Sequence, residues 1–399
     1  MTASMRSVEL FAGAGGLAMG MTRAGFRHAA VVEWDHDSCE TFRHNQRLHA
    51  HDVNEWPLFE GDARAFDYGK ISGEVIVVSG GPPCQPFSMG GKSRGQTDER
   101  DMFPQAVRAV RELQPKAFIF ENVKGLMRES FASYFEYVHL QLSHPEFTRA
   151  PRETWEEHRV RLERHHTSNR PPAAYNVVYR LLNAADYGVP QKRERVFLVG
   201  FRADLNAHWS FPDATHSEAA LLRDQWVTGA YWDRHRIAKR DRPDCSAQLQ
   251  DRADRLRDAP LFDATPWATV RDAIADLPDP EKHPRNTIAN HVFNPGARSY
   301  PGHTGSPLDL PAKTLKAGDH GVPGGENMLS RPDGTVRYFS VREAARLQTF
   351  PDDFVFKGSW SESMRQLGNA VPVRLGEAVA ASVARTLRQV QVRDGRKAA

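Results

Sequence analysis

An open α/β sheet is the fold class that the sequence predicts, because four short apolar runs each end in a loop that carries glycine, an acid or a cysteine. The runs are residues 7–12, 29–33, 74–78 and 117–120. Glu33 ends the second run, and Gly13, Cys84 and Glu121 lie in the segments that follow the first, third and fourth runs. Open α/β sheets place their chemistry at strand ends, so we expect these loops to converge on one cleft.

The composition is that of a soluble globular protein, with 40% hydrophobic and 26% charged residues among 399. This length is comfortable for two domains. A net charge of +3 permits a polyanionic partner without arguing for one. The three cysteines lie far apart and form no C-x-x-C pair, which predicts neither disulfides nor a zinc site. The N-terminus lacks a signal-peptide pattern and no run approaches the roughly 18 apolar residues of a membrane span, so we expect a cytoplasmic protein.

The first run passes into a glycine turn, residues 13–16, and then into a helix-compatible stretch from Leu17. Strand, glycine turn and helix are the parts of a nucleotide-type cleft, in which backbone N–H groups approach a ligand. Glu33 lies about twenty residues beyond the glycines, a placement that suits hydrogen bonds from ribose hydroxyls. A phosphate-binding P-loop is disfavoured, because no G-K-[ST] follows the glycines. Asp62 follows a further turn, where it could join the cleft or simply cap a helix.

Cys84 sits in the segment Ser79-Gly-Gly-Pro-Pro-Cys-Gln-Pro-Phe-Ser88, a stiff turn that could present a nucleophilic thiol. A lone cysteine is more often a small buried apolar residue, and the turn by itself favours that reading. The polar, glycine-rich segment 89–97 could act as a lid or could be an ordinary surface loop.

Three charged residues later in the chain are candidates for the same cleft. Glu121 follows a fully apolar strand, where partial burial would raise its pKa and suit acid–base chemistry. Arg193 and Arg195 alternate, so an extended chain places them on one face, where two guanidinium groups suit an anion or a base edge. The segment 145–172 reads as a solvated helix of mixed charge, to which we assign no chemistry.

From 201 to 335 regular patterning fades, and 17 Lys and Arg stand against 19 Asp and Glu. This region therefore does not bind nucleic acid by bulk charge; contacts would come from locally placed groups. Ser340, followed three residues later by Glu343, predicts a capped helix. A last helix is predicted after Gln366-Leu-Gly-Asn-Ala-Val-Pro372.

Seven fragments in order resemble the DNA cytosine-C5 methyltransferase family of bacterial type II restriction-modification systems: F-x-G-x-G-G, E-W-D, G-D, P-P-C-Q-P-F-S, E-N-V, Q-x-R-x-R and G-N-A-V-P. They extend over nearly the whole chain. The resemblance implies a Rossmann-like S-adenosylmethionine-dependent catalytic domain formed by residues 1–200 and 336–399. It also implies a smaller, irregular target-recognition domain formed by residues 201–335.

The resemblance also implies residue roles. The catalytic residues would be Cys84, Glu121, Arg193 and Arg195, with Cys84 as the nucleophile and both arginines holding a flipped cytosine and its flanking phosphate. The cofactor contacts would be Phe11, Gly13, Gly15, Gly16, Glu33, Trp34, Asp62, Pro83 and Asn369. The DNA contacts would be Ser88, Lys92, Arg94, Gln191 and Thr314. No metal is expected.

The expected activity is methyl transfer from S-adenosylmethionine to cytosine C5 in double-stranded DNA, through a Cys84–C6 adduct. A monomer is expected, with a restriction endonuclease as a possible functional counterpart. Two alternatives stay open: an RNA cytosine-C5 methyltransferase that acts on tRNA, and a catalytically silent DNA-binding relative. Retention of Cys84, Glu121, Arg193 and Arg195 together argues against the silent relative.

Overall fold

The computed structural model describes six stretches of chain: residues 5–50, 52–83, 101–168, 172–257, 264–317 and 327–398. The chain divides into two compact units. Unit 1 contains residues 1–182, 194–212 and 375–399, and unit 2 contains residues 183–193 and 213–374.

Unit 1 is built on a seven-stranded sheet with the strand order β3-β2-β1-β4-β5-β7-β6. The strands are β1 (Met5–Leu10), β2 (Phe26–Glu33), β3 (Leu58–Glu60), β4 (Val77–Gly80), β5 (Ala117–Val123), β6 (Tyr175–Asn183) and β7 (Glu194–Arg202). The helices are α1 (Gly16–Arg23), α2 (His36–Arg47), α3 (Phe103–Leu113), α4 (Ala132–Ser143), α5 (Trp155–Ser168) and, after unit 2, α12 (Val373–Ala398). Short 3₁₀ turns lie at Ala63–Ala65, Tyr68–Lys70, Lys124–Met127, Glu129–Phe131 and Ala203–Leu205.

The first five strands of this sheet are parallel, and β7 runs antiparallel to β5. At the carboxyl ends, Leu10 of β1 pairs with Gly80 of β4, and Gly80 pairs with Phe120 of β5. The strand interiors are apolar because helices cover the sheet: α3, for example, turns Phe103, Val107 and other apolar residues into the core. The parallel register brings the loops after β1, β4 and β5 to one edge, as the sequence predicts.

Unit 2 consists of short helices and small sheets. Its helices are α6 (Glu218–Trp226), α7 (Ala230–Arg234), α8 (Ala247–Arg257), α9 (Val270–Ile274), α10 (Val341–Leu347) and α11 (Trp360–Asn369). Its strands are β8 (His216–Ser217), β9 (Thr265–Pro266), β10 (Ser306–Pro307), β11 (Met328–Ser330) and β12 (Val336–Tyr338), with 3₁₀ turns at Ala184–Tyr187 and Lys239–Asp241. Tyr231, Trp232 and Trp267 form an aromatic core. The predicted capped helix is α10, in which Ser340 and Glu343 cap each other. Helix α11 was not predicted.

The two units differ from the domain boundaries that the sequence predicts at three places. Residues 201–212 belong to unit 1, whose strand β7 continues to Arg202. Residues 183–193 belong to unit 2, where Gln191 forms a β-bridge with Ala312. Residues 336–374 also belong to unit 2, because α10 packs on α9 and α11 within that unit. The last two differences arise from contacts between residues far apart in sequence.

A buried acid lies in the middle of the parallel sheet. Glu9 on β1 is 1% exposed, and its carboxyl group accepts a hydrogen bond from the Ser79 hydroxyl on β4. Burial raises the pKa of Glu9 to about 8, although the bond from Ser79 opposes the shift. Glu9 is therefore mainly neutral in the folded protein at pH 7, whereas it ionises near pH 4.5 when unfolded.

This shift predicts a pH-dependent stability. Between about pH 4.5 and 8 the folded chain binds one more proton at Glu9 than the unfolded chain, so its contribution to the free energy of unfolding falls as pH rises. Glu9→Gln removes this dependence. The free energy of unfolding of the variant minus that of wild type should therefore be larger at pH 8 than at pH 5, by on the order of a few kcal/mol. Urea unfolding at both pH values measures the difference. The matched control is Glu55→Gln, an exposed acid paired with Arg27; equal pH dependence in both variants would contradict the assignment.

Candidate active site

The loop after β1 is a tight turn that only glycine can form at one of its positions. Gly15 caps α1 in the left-handed region at φ 83°, and a Cβ there would lie 2.7 Å from the Phe42 ring and 2.9 Å from Trp56. Gly13 also has a positive φ, 54°, but a Cβ built on it meets no described atom within 4 Å. Phe11, likewise at a positive φ, packs partly on the core. The turn is therefore tightly packed at Gly15, whereas the space beside Gly13 is free of described atoms, so a ligand can approach the backbone at Gly13.

Glu33, at the end of β2, hydrogen-bonds both to the glycine turn after β1 and to the loop after β2. Its carboxylate accepts from the Gly13 N–H at 2.6 Å, the Trp34 N–H at 2.9 Å and the Asp35 N–H at 2.8 Å. Burial raises the pKa of Glu33, and these three backbone donors act against the shift. A carboxylate offers about four lone-pair sites, so one acceptor site is left for a ligand hydroxyl. The Trp34 side chain is 75% exposed and presents its ring to solvent.

Asp62 serves as a cap in the structure. One carboxylate oxygen accepts from the Arg64 N–H at 2.8 Å and the other from the Arg64 guanidinium at 3.1 Å, at the start of a 3₁₀ turn. The N-cap alternative weighed from the sequence is thus present. The adjacent Gly61 donates its N–H to the Glu33 carbonyl, so Asp62 lies beside the Glu33 loop.

The segment leading to Cys84 is anchored by two hydrogen bonds. The Asn122 side chain donates to the Pro82 carbonyl at 2.8 Å, and the Met102 N–H donates to the Pro83 carbonyl at 3.2 Å. The E-N-V fragment contains Asn122, for which the sequence predicts no role. Cys84 itself, with Ser88, Lys92, Arg94 and the segment 89–97, lies outside the described residues.

Glu121 and Arg195 form a buried ion pair beside this segment. Arg195 Nε lies 2.8 Å from Glu121 Oε1, and the two side chains are 11% and 8% exposed. The register of β5 and β7 accounts for the contact: Arg195 pairs with Val123, two residues from Glu121, so both side chains share a face. Burial lowers the pKa of Arg195 and the Glu121 carboxylate raises it. The other Glu121 oxygen lies 3.2 Å from where a Gly81 Cβ would be. The carboxyl group thus lies between a fixed cation and the cysteine-bearing loop.

Arg193 and Gln191 differ from the sequence-based expectation. Arg193 is fully buried and its guanidinium donates to the carbonyls of Leu315, Gly368 and Ala370. Gln191 is also fully buried and bonds to the Leu315 N–H at 2.9 Å. The two arginines therefore do not act on one common group: Arg195 pairs with Glu121, whereas Arg193 binds backbone carbonyls within unit 2. Because both side chains are fully buried, the structure does not favour a direct contact of Arg193 with a base or of Gln191 with DNA.

Of the three remaining predicted residues, Gly16 is buried at the start of α1, and Thr314 and Asn369 lie at the surface of unit 2. Thr314 is half-buried and its hydroxyl donates to the Lys192 carbonyl at 2.7 Å. Asn369, the last residue of α11, is exposed. Within the described stretches, no cluster of three or more His, Cys, Asp or Glu side chains could hold a metal ion. None of the helices described has the length and apolarity to cross a membrane.

The chain is similar to known proteins over nearly its whole length. The C-5 cytosine-specific DNA methylase family matches residues 5–148 and 168–385. The chain is 29% identical over 389 residues to the type II methyltransferase M.NgoMIV of Neisseria gonorrhoeae, covering 96% of this chain and 98% of that protein. It is 30% identical over 393 residues to M.Eco47II of Escherichia coli, covering 97% and 80%.

The fold is similar to that of a candidate DNA modification methyltransferase encoded within an Escherichia coli prophage. The TM-score is 0.57 at 21% sequence identity, and the match covers 96% of this chain and 100% of that chain. The residues between the two matched family segments, 149–167, fall in the charged stretch that carries no family motif. The chain belongs to the C-5 cytosine-specific DNA methylase family and is a DNA cytosine-C5 methyltransferase with the S-adenosylmethionine-dependent fold.

Proposed function

We propose that the enzyme methylates a flipped cytosine through a covalent bond between Cys84 Sγ and C6 of the base. The observation that carries the proposal is the Glu121–Arg195 pair beside the anchored Pro82–Pro83 segment, one residue before Cys84. Cytosine C5 is a poor nucleophile, so a thiolate that adds at C6 is needed to build enamine character at C5.

Glu121 and Arg195 stabilise the ring as that bond forms. Addition at C6 moves electron density toward N3 and O2 of the base. Glu121, in its protonated form, donates to N3, and the fixed guanidinium of Arg195 offsets charge at O2. Because the two side chains form an ion pair at 2.8 Å before the base arrives, Glu121 takes up a proton as the cytosine enters. After methyl transfer, loss of the C5 proton, with water as the acceptor, and elimination of Cys84 restore the aromatic ring.

The residues around β1 and β2 fit S-adenosylmethionine. Trp34 offers an exposed ring for adenine, Glu33 retains an acceptor site for a ribose hydroxyl, and the open backbone at Gly13 allows close approach. We assign the remaining cofactor contacts to Phe11, Gly15, Gly16, Asp62, Pro83 and Asn369. When bound, the cofactor supplies the methyl group from its sulfonium. No metal takes part in this scheme.

Double-stranded DNA is the substrate we propose, with the base extruded at a cost of roughly a few kcal/mol. Ser88, Lys92, Arg94 and Thr314 are assigned as DNA contacts. The type II relatives suggest that a restriction endonuclease accompanies the enzyme. We propose that the enzyme acts in the bacterial cytoplasm, associated with the nucleoid through DNA, and that it works as a monomer.

Transfer of a labelled methyl group tests the substrate. We expect incorporation into duplex DNA at one sequence and none into tRNA, because residues 201–335 give the chain a long segment for reading a site. Bisulfite sequencing then gives the modified position. Incorporation into tRNA alone would overturn the DNA assignment in favour of the RNA alternative.

Cys84→Ser should reduce methyl transfer at least about a thousandfold, because a hydroxyl is a far weaker nucleophile than a thiolate. S-adenosylmethionine binding, measured by calorimetry, should persist. Cys245→Ser is the matched control, since Cys245 is a free cysteine in unit 2. Full activity in Cys84→Ser would refute the covalent route.

Glu121→Gln should lower the single-turnover transfer rate by about 10²–10⁴-fold, because glutamine keeps an acceptor for Arg195 but is a far weaker proton donor than a carboxylic acid. Glu194→Gln provides the control: Glu194 lies one residue from Arg195 but pairs with Lys124 at the surface. Equal rates in the two variants would exclude Glu121 as the acid.

A further inference from the structure

We propose that Arg193, with Gln191 and Gln348, is a positioning device that holds two surface segments of unit 2 in a fixed relation. One segment contains Thr314, the assigned DNA contact, and the other contains Asn369, the assigned cofactor contact. The inference rests on those two assignments of the proposed function. It gives the buried arginine a role in ligand binding without contact to either ligand.

Arg193 donates hydrogen bonds to both segments. One guanidinium nitrogen donates to the Leu315 carbonyl at 3.0 Å, next to Thr314. The other donates to the Gly368 carbonyl at 2.6 Å and the Ala370 carbonyl at 2.9 Å, on either side of Asn369. A guanidinium is planar and its N–H groups have fixed directions, so one side chain sets the spacing of three carbonyl groups.

Two buried glutamines complete the network. Gln191 accepts from the Leu315 N–H at 2.9 Å and donates to Gln348 Oε1 at 3.1 Å. Gln348 donates onward to the carbonyls of Leu367 and Ala370, the latter at 3.3 Å. Both glutamines are fully buried. Leu315 and Ala370 are therefore each held by two side chains of the network.

The backbones of the two segments also meet directly. A Cβ on Gly368 would lie 2.3 Å from the Ala317 nitrogen and 2.4 Å from the Lys316 carbonyl carbon. The glycine thus permits a contact that brings the segments together, and Arg193 sets their alignment. A small shift of Arg193 would displace Thr314 and Asn369 together.

Unit 2 contains a second buried arginine, Arg342. Comparing its substitution with that of Arg193 distinguishes a positioning role from ordinary structural support. Arg342 is 1% exposed and donates to the carbonyls of Ala289, Pro351 and Phe354. Like Arg193 it donates to three carbonyls, although its Nη1 also lies 3.7 Å from Asp352 Oδ1. None of its three carbonyl partners adjoins an assigned ligand contact. Arg342→Lys therefore reproduces the loss of a buried guanidinium without disturbing Thr314 or Asn369.

The test compares Arg193→Lys with Arg342→Lys. We measure the Kd for S-adenosylmethionine by calorimetry, the Kd for a duplex carrying the recognised site by fluorescence anisotropy, and Tm. We expect Arg193→Lys to raise both Kd values by about tenfold or more, because misplacement by about 1 Å has large effects on a site. Arg342→Lys should lower Tm comparably and change each Kd less than about twofold. Thr314→Ala should weaken DNA binding alone, and Asn369→Ala cofactor binding alone.

Gln348→Met keeps the side-chain length and removes the hydrogen bonds to Leu367 and Ala370. If Arg193→Lys does not fold, the same two Kd values are measured for Gln348→Met, and we expect both to rise. Equal Kd values in the Arg193 and Arg342 variants would overturn the proposal, as would a change confined to one ligand. A wild-type protein that methylates no DNA would instead refute the proposed function, so the two failures are distinguishable.

Discussion

The close approach of β1 and β4 at Gly80 is the constraint on which the site depends. A Cβ at this position would lie 2.3 Å from the Leu10 carbonyl oxygen, so no side chain fits there. The contact aligns the ends of the two strands, and β5 continues the same register through Phe120. As a result the glycine turn and the cysteine-bearing loop leave the sheet at the edge where Glu121 lies within β5.

Three buried charged groups, two in unit 1 and one in unit 2, each have specific hydrogen-bond partners. Burying a charge is costly unless it is paired or hydrogen-bonded. Glu33 is bonded to three backbone N–H groups, Glu121 to Arg195, and Arg193 to three carbonyls. Such satisfied networks have few alternative arrangements, which suits groups that must be in position before a substrate arrives.

The sequence predicts the parts of the site that depend on local order along the chain. Glu33 and Glu121 each come directly after an apolar run, so their place near the carboxyl ends of β2 and β5 can be inferred from neighbours alone. The environment of Arg193 cannot, because an exposed arginine on a strand and a buried one have the same local pattern. Its partners are 122 or more residues away. Helix α11 was missed for a related reason: its glycine and asparagine are typical of a turn, but Met364 and Leu367 pack inside unit 2.

The long sequence separations in unit 2 also bear on how the protein is made. Arg193 leaves the ribosome long before Gly368 and Ala370, which are 175 and 177 residues further along. Until they emerge, its guanidinium has no complete set of carbonyl acceptors and remains hydrated. Unit 2 therefore reaches its final packing only after residue 370 has emerged, and a nascent chain stalled before residue 368 carries an unfinished core.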